Sequence, residues 1–315
     1  MAHEITVRAN GQAEMAYLGN IPWHGLGNKL EVGADLKTWE VAAGMDWEIQ
    51  RAQMLYALPD QTVRAVDDKV LLHRSDSGDA LGIVSERYQV VQPGDVLGFF
   101  QELVETVDMQ LETAGTLFGG KRFWALAKAG DEFELPGHDR VGNYLLLATS
   151  ADGTMQTQAK FTSVRVVCNN TLGVATASKV GAVSVRHTTA FSPTAVRAQL
   201  GLSHEAFDKF KVEAGILANT PLPRADAAAL TAEVLGGGER VESSTTFKVI
   251  MDFYDGNGLG AQLESSKDTA WGWVNAVTQY VDHSAKSKTD SHRMNSAWFG
   301  RGNDIKSRAL ALALR

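Results

Sequence analysis

Of 315 residues only one is cysteine, Cys168. A single thiol excludes an intrachain disulfide and any cysteine-built zinc cluster, and it fits a reducing cytoplasm. Its apolar neighbours favour an inert, buried thiol over a nucleophile. No run approaches the roughly 20 apolar residues that a membrane-spanning helix needs. The opening MAHEITVRANGQ lacks the apolar core of a signal peptide, so no membrane partner is expected. Short catalytic motifs are missing as well. Gly115, Gly119 and Gly120 lack the Lys-Ser/Thr and helix context of a phosphate loop, and no GxGxxG opens a helix. There is no GxSxG elbow and no HExxH. Neither a catalytic residue nor a cofactor is expected. Positive charge is scarce too: 30 Lys and Arg against 37 Asp and Glu leave a formal net charge of −7. That balance counts against a surface coated for duplex DNA, while binding through a local basic groove stays open.

What is present reads as an ordinary globular chain. Hydrophobic content of 44% and charged content of 21% suit a sizeable core. The strongest pattern lies at 143–178. Residues 144–148 are an apolar run closed by the turn cluster Ser150-Ala151-Asp152-Gly153. Met155, Thr157, Ala159 and Phe161 then alternate with Gln156, Gln158, Lys160 and Thr162, the period of a strand with one buried side. At Ser163 the phase slips, which predicts a bulge or a change of partner. Asn169-Asn170 offers an N-cap for a helix over 171–178.

A second hairpin is predicted from 110–118 and 121–129, joined by Gly119-Gly120 as a two-residue primed turn. Period two puts Lys121 and Phe123 on one face, with Arg122 and Trp124 on the other. Between the hairpins, 131–140 reads as a polar loop. Before them, Pro93 opens an amphipathic helix carrying Val96, Phe99, Phe100 and Leu103 at helical spacing. Earlier still come a short helix capped by Asp35 and strands at 47–58, 62–66, 69–73 and 81–84. After residue 190 the pattern is helical, over 193–201, 203–219, 225–235, 243–254, 268–282 and from Asp304 to the end. The expected fold is α+β: an antiparallel β-meander of hairpins with flanking helices in 1–190. A helical region, 191–315, would pack on the sheet or on a neighbouring subunit.

Few residues look chemical. His24, in the Trp23–Gly27 loop, reads as a structural histidine or as a ligand or base. Asp282 and His283 with His292 form the one His–carboxylate cluster, and metal ligation there would need partners from elsewhere. The basic run Lys286, Lys288, His292, Arg293, Arg301, Lys306, Arg308 and Arg315 is opposed only by Asp290 and Asp304, with Trp298 and Phe299 interleaved. A solvated tail and a nucleic-acid contact are both open readings of it.

Three segments carry a resemblance: WHGLG at Trp23–Gly27, SVRVVCNNTL at Ser163–Leu172, and TAWGWVNAVTQYVDH through FGRGNDIKSRAL. Together they resemble the phage/plasmid-like proteins of domain-of-unknown-function family 932, over nearly the whole chain. The resemblance implies a gene of bacteriophages and plasmids acting in the bacterial cytoplasm, with no catalytic residue to carry over. The expected hairpin, hairpin, helix order is also similar to the core of single-strand annealing proteins, which form rings or filaments. That likeness is one of topology and says little about function by itself.

The resulting expectation is a non-enzymatic protein that binds and anneals single-stranded DNA as a homo-oligomer. Lys121, Arg122, Lys160 and Arg165 would meet phosphates, and Phe123 or Trp124 would stack on bases. Arg165, between two valines, reads equally as a buried structural arginine. Arg293, Arg301, Lys306 and Arg308 would supply a second DNA contact or an intersubunit one. The alternative is a structural or protein-interaction factor of a mobile element with no DNA contact, which the net charge favours.

Overall fold

The computed structural model describes residues 7, 8, 11–19, 27–106, 109–130, 132–165, 170–173, 182–200, 204–238 and 240–315. Two short strands, β1 (Met15–Tyr17) and β2 (Asn28–Lys29), precede helix α1 (Leu36–Ala42). As expected, Asp35 caps α1, its carboxylate accepting the Thr38 N–H at 2.8 Å. A three-stranded antiparallel sheet follows in sequence order, from β3 (Ile49–Ala57), β4 (Val63–Arg74) and β5 (Ala80–Ser85). Helix α2 (Pro93–Thr106) opens on its proline, whose missing N–H costs nothing in a first turn.

The main sheet is then built from β6 (Met109–Leu117), β7 (Arg122–Ala129), β8 (Phe133–Leu135), β9 (Asp139–Ser150) and β10 (Thr157–Arg165). Two short strands complete it, β11 (Asn170–Gly173) and β12 (Ala182–Val185). Its order is β11-β10-β9-β7-β6-β1-β2, with β12 also on β10 and β8 on β9. All pairs are antiparallel except β1 with β2. The rest is helical: α3 (Pro193–Leu200), α4 (His204–Ala218), α5 (Arg224–Val234), α6 (Thr245–Asp252), α7 (Ala270–Gln279), α8 (Asp290–Phe299) and α9 (Arg301–Ala313). The fold is therefore α+β.

The central strands are buried on both faces. Phe123, Ala125 and Ala127 of β7 join Leu145 and Leu147 of β9 in the larger core, with Phe99, Phe100 and Leu103 of α2 and Trp271 of α7. The alternate residues, Trp124, Leu126, Tyr144, Leu146 and Ala148, form a second core against Met294, Trp298 and Phe299 near the end of the chain. The Trp124 and Trp298 rings meet edge to face, 4.9 Å apart.

Several local expectations are corrected. Residues 170–173 are strand β11, antiparallel to β10, where a helix was expected; residues 174–178 lie outside the described residues. Backbone pairing with the open edge of β10 outcompetes the Asn cap. At Ser163 the second of the two expected outcomes holds: the ladder to β9 runs unbroken, and the outer partner changes from β12 at Lys160 to β11 at Thr162. The 62–66 and 69–73 segments are one strand, β4, because the hairpin turns earlier, where the Leu58 N–H donates to the Thr62 carbonyl at 2.8 Å. Residues 133–135 form β8 in place of a loop. Leu117 pairs with Arg122, so the β6–β7 turn has four residues, with Phe118, Gly119 and Gly120 all at positive φ. The basic segment begins as helix α8, which sequence periodicity missed, and α9 starts at Arg301 with Asp304 already in its first turn.

One buried ionic network ties the two sheets together. Glu14, 1% exposed, accepts from Arg74 Nη2 at 2.7 Å, Arg74 Nη1 at 3.1 Å and the Thr116 hydroxyl at 2.6 Å. Arg74 also donates twice to Asp76 and lies 4.3 Å from the Trp47 ring centroid. A Cβ on Gly120 would come within 2.7 Å of Trp47 and 3.1 Å of Arg74, so the turn glycine is required for this approach. Removing one partner of such a pair strands the other in low dielectric. Glu14→Ala is expected to cost about 3–5 kcal/mol in urea denaturation. Glu14→Leu combined with Arg74→Met is expected to cost clearly less than the single change; an equal or greater loss would show that the charges are not what matters.

Candidate anion-binding cleft

Helix α5 stops at Gly236, Gly237 and Gly238, all at positive φ (104°, 67° and 109°), a backbone that side chains resist. Arg240 and Val241 follow, and Ser244 then caps α6 by accepting the Phe247 N–H at 3.2 Å. Opposite them, α7 does not end cleanly. After Gln279 the chain widens into a π-turn, Tyr280–Ser284, closed by the Ala285 N–H on the Tyr280 carbonyl at 2.7 Å. Such insertions re-aim the side chains they carry and recur at functional sites. Thr289 caps α8, and Gly300 separates α8 from α9. Gly302 lets α9 close in, since a Cβ there would come within 2.8 Å of Val281 and 2.9 Å of the Ser296 carbonyl.

These pieces enclose a cleft of about 1070 Å³, at the upper end of ligand-site volumes. Arg240, Lys286, Arg293 and Arg301 line it, and among the described residues no carboxylate does. Hydroxyls come from Ser244, Thr245, Thr246, Ser284, Ser287 and Ser296. The N-terminal residues of α6 and α9 are part of the wall and bring two positive dipole ends to it, against the one negative end of α5. In a chain of net charge −7, this is a segregated cationic cavity. It is suited to a phosphate-bearing ligand.

The π-turn also carries an acid, Asp282, away from the cleft. Asp282, 8% exposed, turns to the buried side and accepts from Lys306 Nζ at 2.7 Å. Lys306 is 2% exposed and belongs to this pair, so it is not the surface DNA contact expected of it. Beside them Lys160 reaches from β10 to the Trp298 carbonyl, with its ammonium 5.2 Å from the Phe299 ring. Burial pushes its pKa down to about 8, and Lys306 adds repulsion. Lys160 is thus a largely buried strut between the sheet and α8, a second correction. Burial also lowers the pKa of Lys306, against the pull of Asp282.

The remaining expected residues divide. Arg293 and Arg301 are in the cleft wall, and Arg308 is exposed on α9 seven residues beyond Arg301, two turns along the same side. Lys121 is exposed in the β6–β7 turn and does not line the cleft. Arg122 is half-buried, donates to the Thr154 hydroxyl at 2.9 Å, and lies 5.6 Å from the Phe118 ring. Phe123 and Trp124, 0% and 2% exposed, present no face to a base, because each packs into one of the two cores. Arg165 contributes its backbone to β10; its side chain, His24 and Cys168 lie outside the described residues. His292 bonds the Thr289 hydroxyl through Nδ1 at 2.8 Å and packs on Phe118, while Asp282 is held by Lys306. Among the described residues no group of three or more His, Cys, Asp or Glu is placed to hold a metal. Arg240 and Tyr280 were missed. Arg240 comes two residues after a glycine run that reads only as a helix stop, with Glu239 between, and Tyr280 reads as one more apolar helix position.

The family model for Domain of unknown function (DUF932) matches residues 80–298, more than two thirds of the chain. The chain belongs to the DUF932 family. The DUF932 match takes in α2, the meander and three of the four cleft cations, Arg240, Lys286 and Arg293. No curated protein and no solved structure matches the chain. Among the described residues no helix is long and apolar enough to cross a membrane.

The lysine pair makes stability pH-dependent with a definite sign. Lys160, at about 8 when folded, has the ordinary lysine value of 10.5 when unfolded. The unfolded chain therefore binds more protons between those values, and stability rises with pH across them. Lys306 acts in the same direction. Above pH 10 the trend reverses, because burial raises Tyr254 to about 12 and raises Tyr88 and Tyr144 as well, so unfolded tyrosines ionise first. Thermal melting is expected to shift upward from pH 8 to 10. Lys160→Met is expected to raise the melting temperature at pH 7 and flatten the rise; an unchanged profile would rule Lys160 out as its source.

Proposed function

We propose that this DUF932 protein binds single-stranded DNA through the cationic cleft. In this reading it catalyses no reaction and works as a homo-oligomer that anneals strands during recombination of phage and plasmid genomes in the bacterial cytoplasm. One observation carries the reading: four cations and, among the described residues, no carboxylate line a ligand-sized cleft in an acidic protein. Guanidinium groups and hydroxyls take phosphate oxygens without reading sequence. Exposed Arg308 extends the track beyond the cleft along α9. The resemblance of its motifs to those of phage and plasmid proteins supports the setting, and the net charge of −7 disfavours wholesale coating of duplex DNA.

A second reading, a protein-interaction factor without DNA contact, is favoured by the β3–β4 hairpin. There Leu55 and Val63, each 59% exposed, and Tyr56, 46% exposed, leave apolar surface in water.

Salt separates the two. For single strands log K falls with log salt with a slope of about −0.7 per phosphate neutralised, so four contacts give about −3. Fluorescence anisotropy with a labelled single strand, and a matched duplex alongside, is expected to show that dependence and a single-strand preference. Arg240→Ala and Arg301→Ala are each expected to weaken binding and reduce the slope by about 0.7. Absence of binding even at low salt would sink the DNA reading.

A further inference from the structure

We infer that Tyr280 is the base-stacking residue of the cleft, so that the cleft takes a nucleotide as base plus phosphate. The inference rests on the single-strand reading above and adds to it a recognition element for the base. Single-strand sites combine cations with an aromatic platform, and Phe123 and Trp124 are closed off in the cores. Among the described residues the cleft wall contains one aromatic side chain, Tyr280.

Tyr280 is also prepared for the role. Part of its ring packs on the larger core, and its hydroxyl shares a hydrogen bond with the Thr246 hydroxyl of α6 at 2.8 Å. The ring is thereby held from both ends before any ligand arrives, which lowers the ordering cost of binding. Its backbone closes the π-turn, so the distortion that turns Asp282 into the protein is the one that sets Tyr280 at the cavity. Val241, Val249 and Ile305 add apolar wall that suits a base better than it suits phosphate alone.

The composition of the wall says how a base would be read. No Asn, Gln, Asp or Glu lines the cleft among the described residues, so the side chains that pair bidentately with adenine or accept from cytosine are missing. Stacking accepts every base and leaves the pairing edge open. A strand held in this way remains available to its complement, which is what annealing requires.

The test compares a labelled single-stranded oligonucleotide with an abasic sugar–phosphate oligomer of equal length on the full chain. The intact strand is expected to bind about fivefold or more tighter, since stacking is worth about 1–3 kcal/mol per base. Tyr280→Phe, which keeps the ring, should preserve that preference, and Tyr280→Leu should abolish it while leaving the salt slope unchanged. Photocrosslinking of a 5-iodouracil oligonucleotide to the unaltered chain, mapped by mass spectrometry, gives a readout independent of variant folding and is expected at Tyr280. Equal binding of both oligomers, an undiminished preference in Tyr280→Leu, or crosslinks confined to other residues would each overturn the stacking role and leave phosphate binding standing. Binding of neither oligomer at low salt would remove both.

Discussion

The structure depends on one constraint: strands β7 and β9 bury both of their faces. A strand with a single buried face can leave polar residues in water, but here Phe123 and Trp124, adjacent in sequence, are both enclosed. Two layers must therefore cover the sheet. Helix α2 follows the three-stranded sheet directly and covers the first face. The second is covered only when the chain returns as α8, which sets Met294, Trp298 and Phe299 against Trp124, Leu126 and Leu146. That return requires the chain to leave α7, cross a gap and turn back. The π-turn and the loop after it are that crossing, and the cleft is the space it leaves.

Docking α8 and α9 on the sheet has an electrostatic cost, and the buried lysines show where it falls. Lys160 and Lys306 are taken out of water with a single carboxylate, Asp282, between them. Pairing compensates Lys306, while Lys160 is left with a carbonyl and an aromatic face. A buried cation so placed disfavours its own charge. The Glu14–Arg74 network solves the corresponding problem by full pairing, with bidentate contact and a hydroxyl on the remaining lone pair. The first arrangement leaves positive potential behind the cleft, whereas the second is closely balanced.

These placements also relocate the candidate interface. Basic and aromatic residues clustered after the β6–β7 turn look like a nucleic-acid surface in one dimension, but alternation sends Phe123 and Trp124 into opposite cores. The cleft instead draws on four separated segments: the end of α5 through the start of α6, the π-turn with the loop behind it, α8 and the start of α9. Its cations are spread over about sixty residues of sequence, and Asp282, which lies between them, is turned into the protein to meet Lys306. Local potential, which sets phosphate affinity, is a property of that assembly.

What the sequence by itself determined was local and periodic. Val96, Phe99, Phe100 and Leu103 specify α2 by spacing, alternation from Thr157 to Phe161 specifies β10, and Gly236–Gly238 ends α5. The α+β class follows from those elements, and the basic character of residues 286–308 was legible, including Arg293 and Arg301. What only the tertiary structure decided was which faces are covered and by what. Asn170–Gly173 became a strand because β10 offered an open edge, and Lys160 became a strut because Trp298 arrives from 138 residues away. Arg240 and Tyr280 acquired a shared cavity only when the π-turn faced α6. Periodicity reports how a segment can lie, since it acts over a few residues. Burial, pairing and potential depend on contacts between segments distant in sequence, and those exist only once the chain has closed on itself.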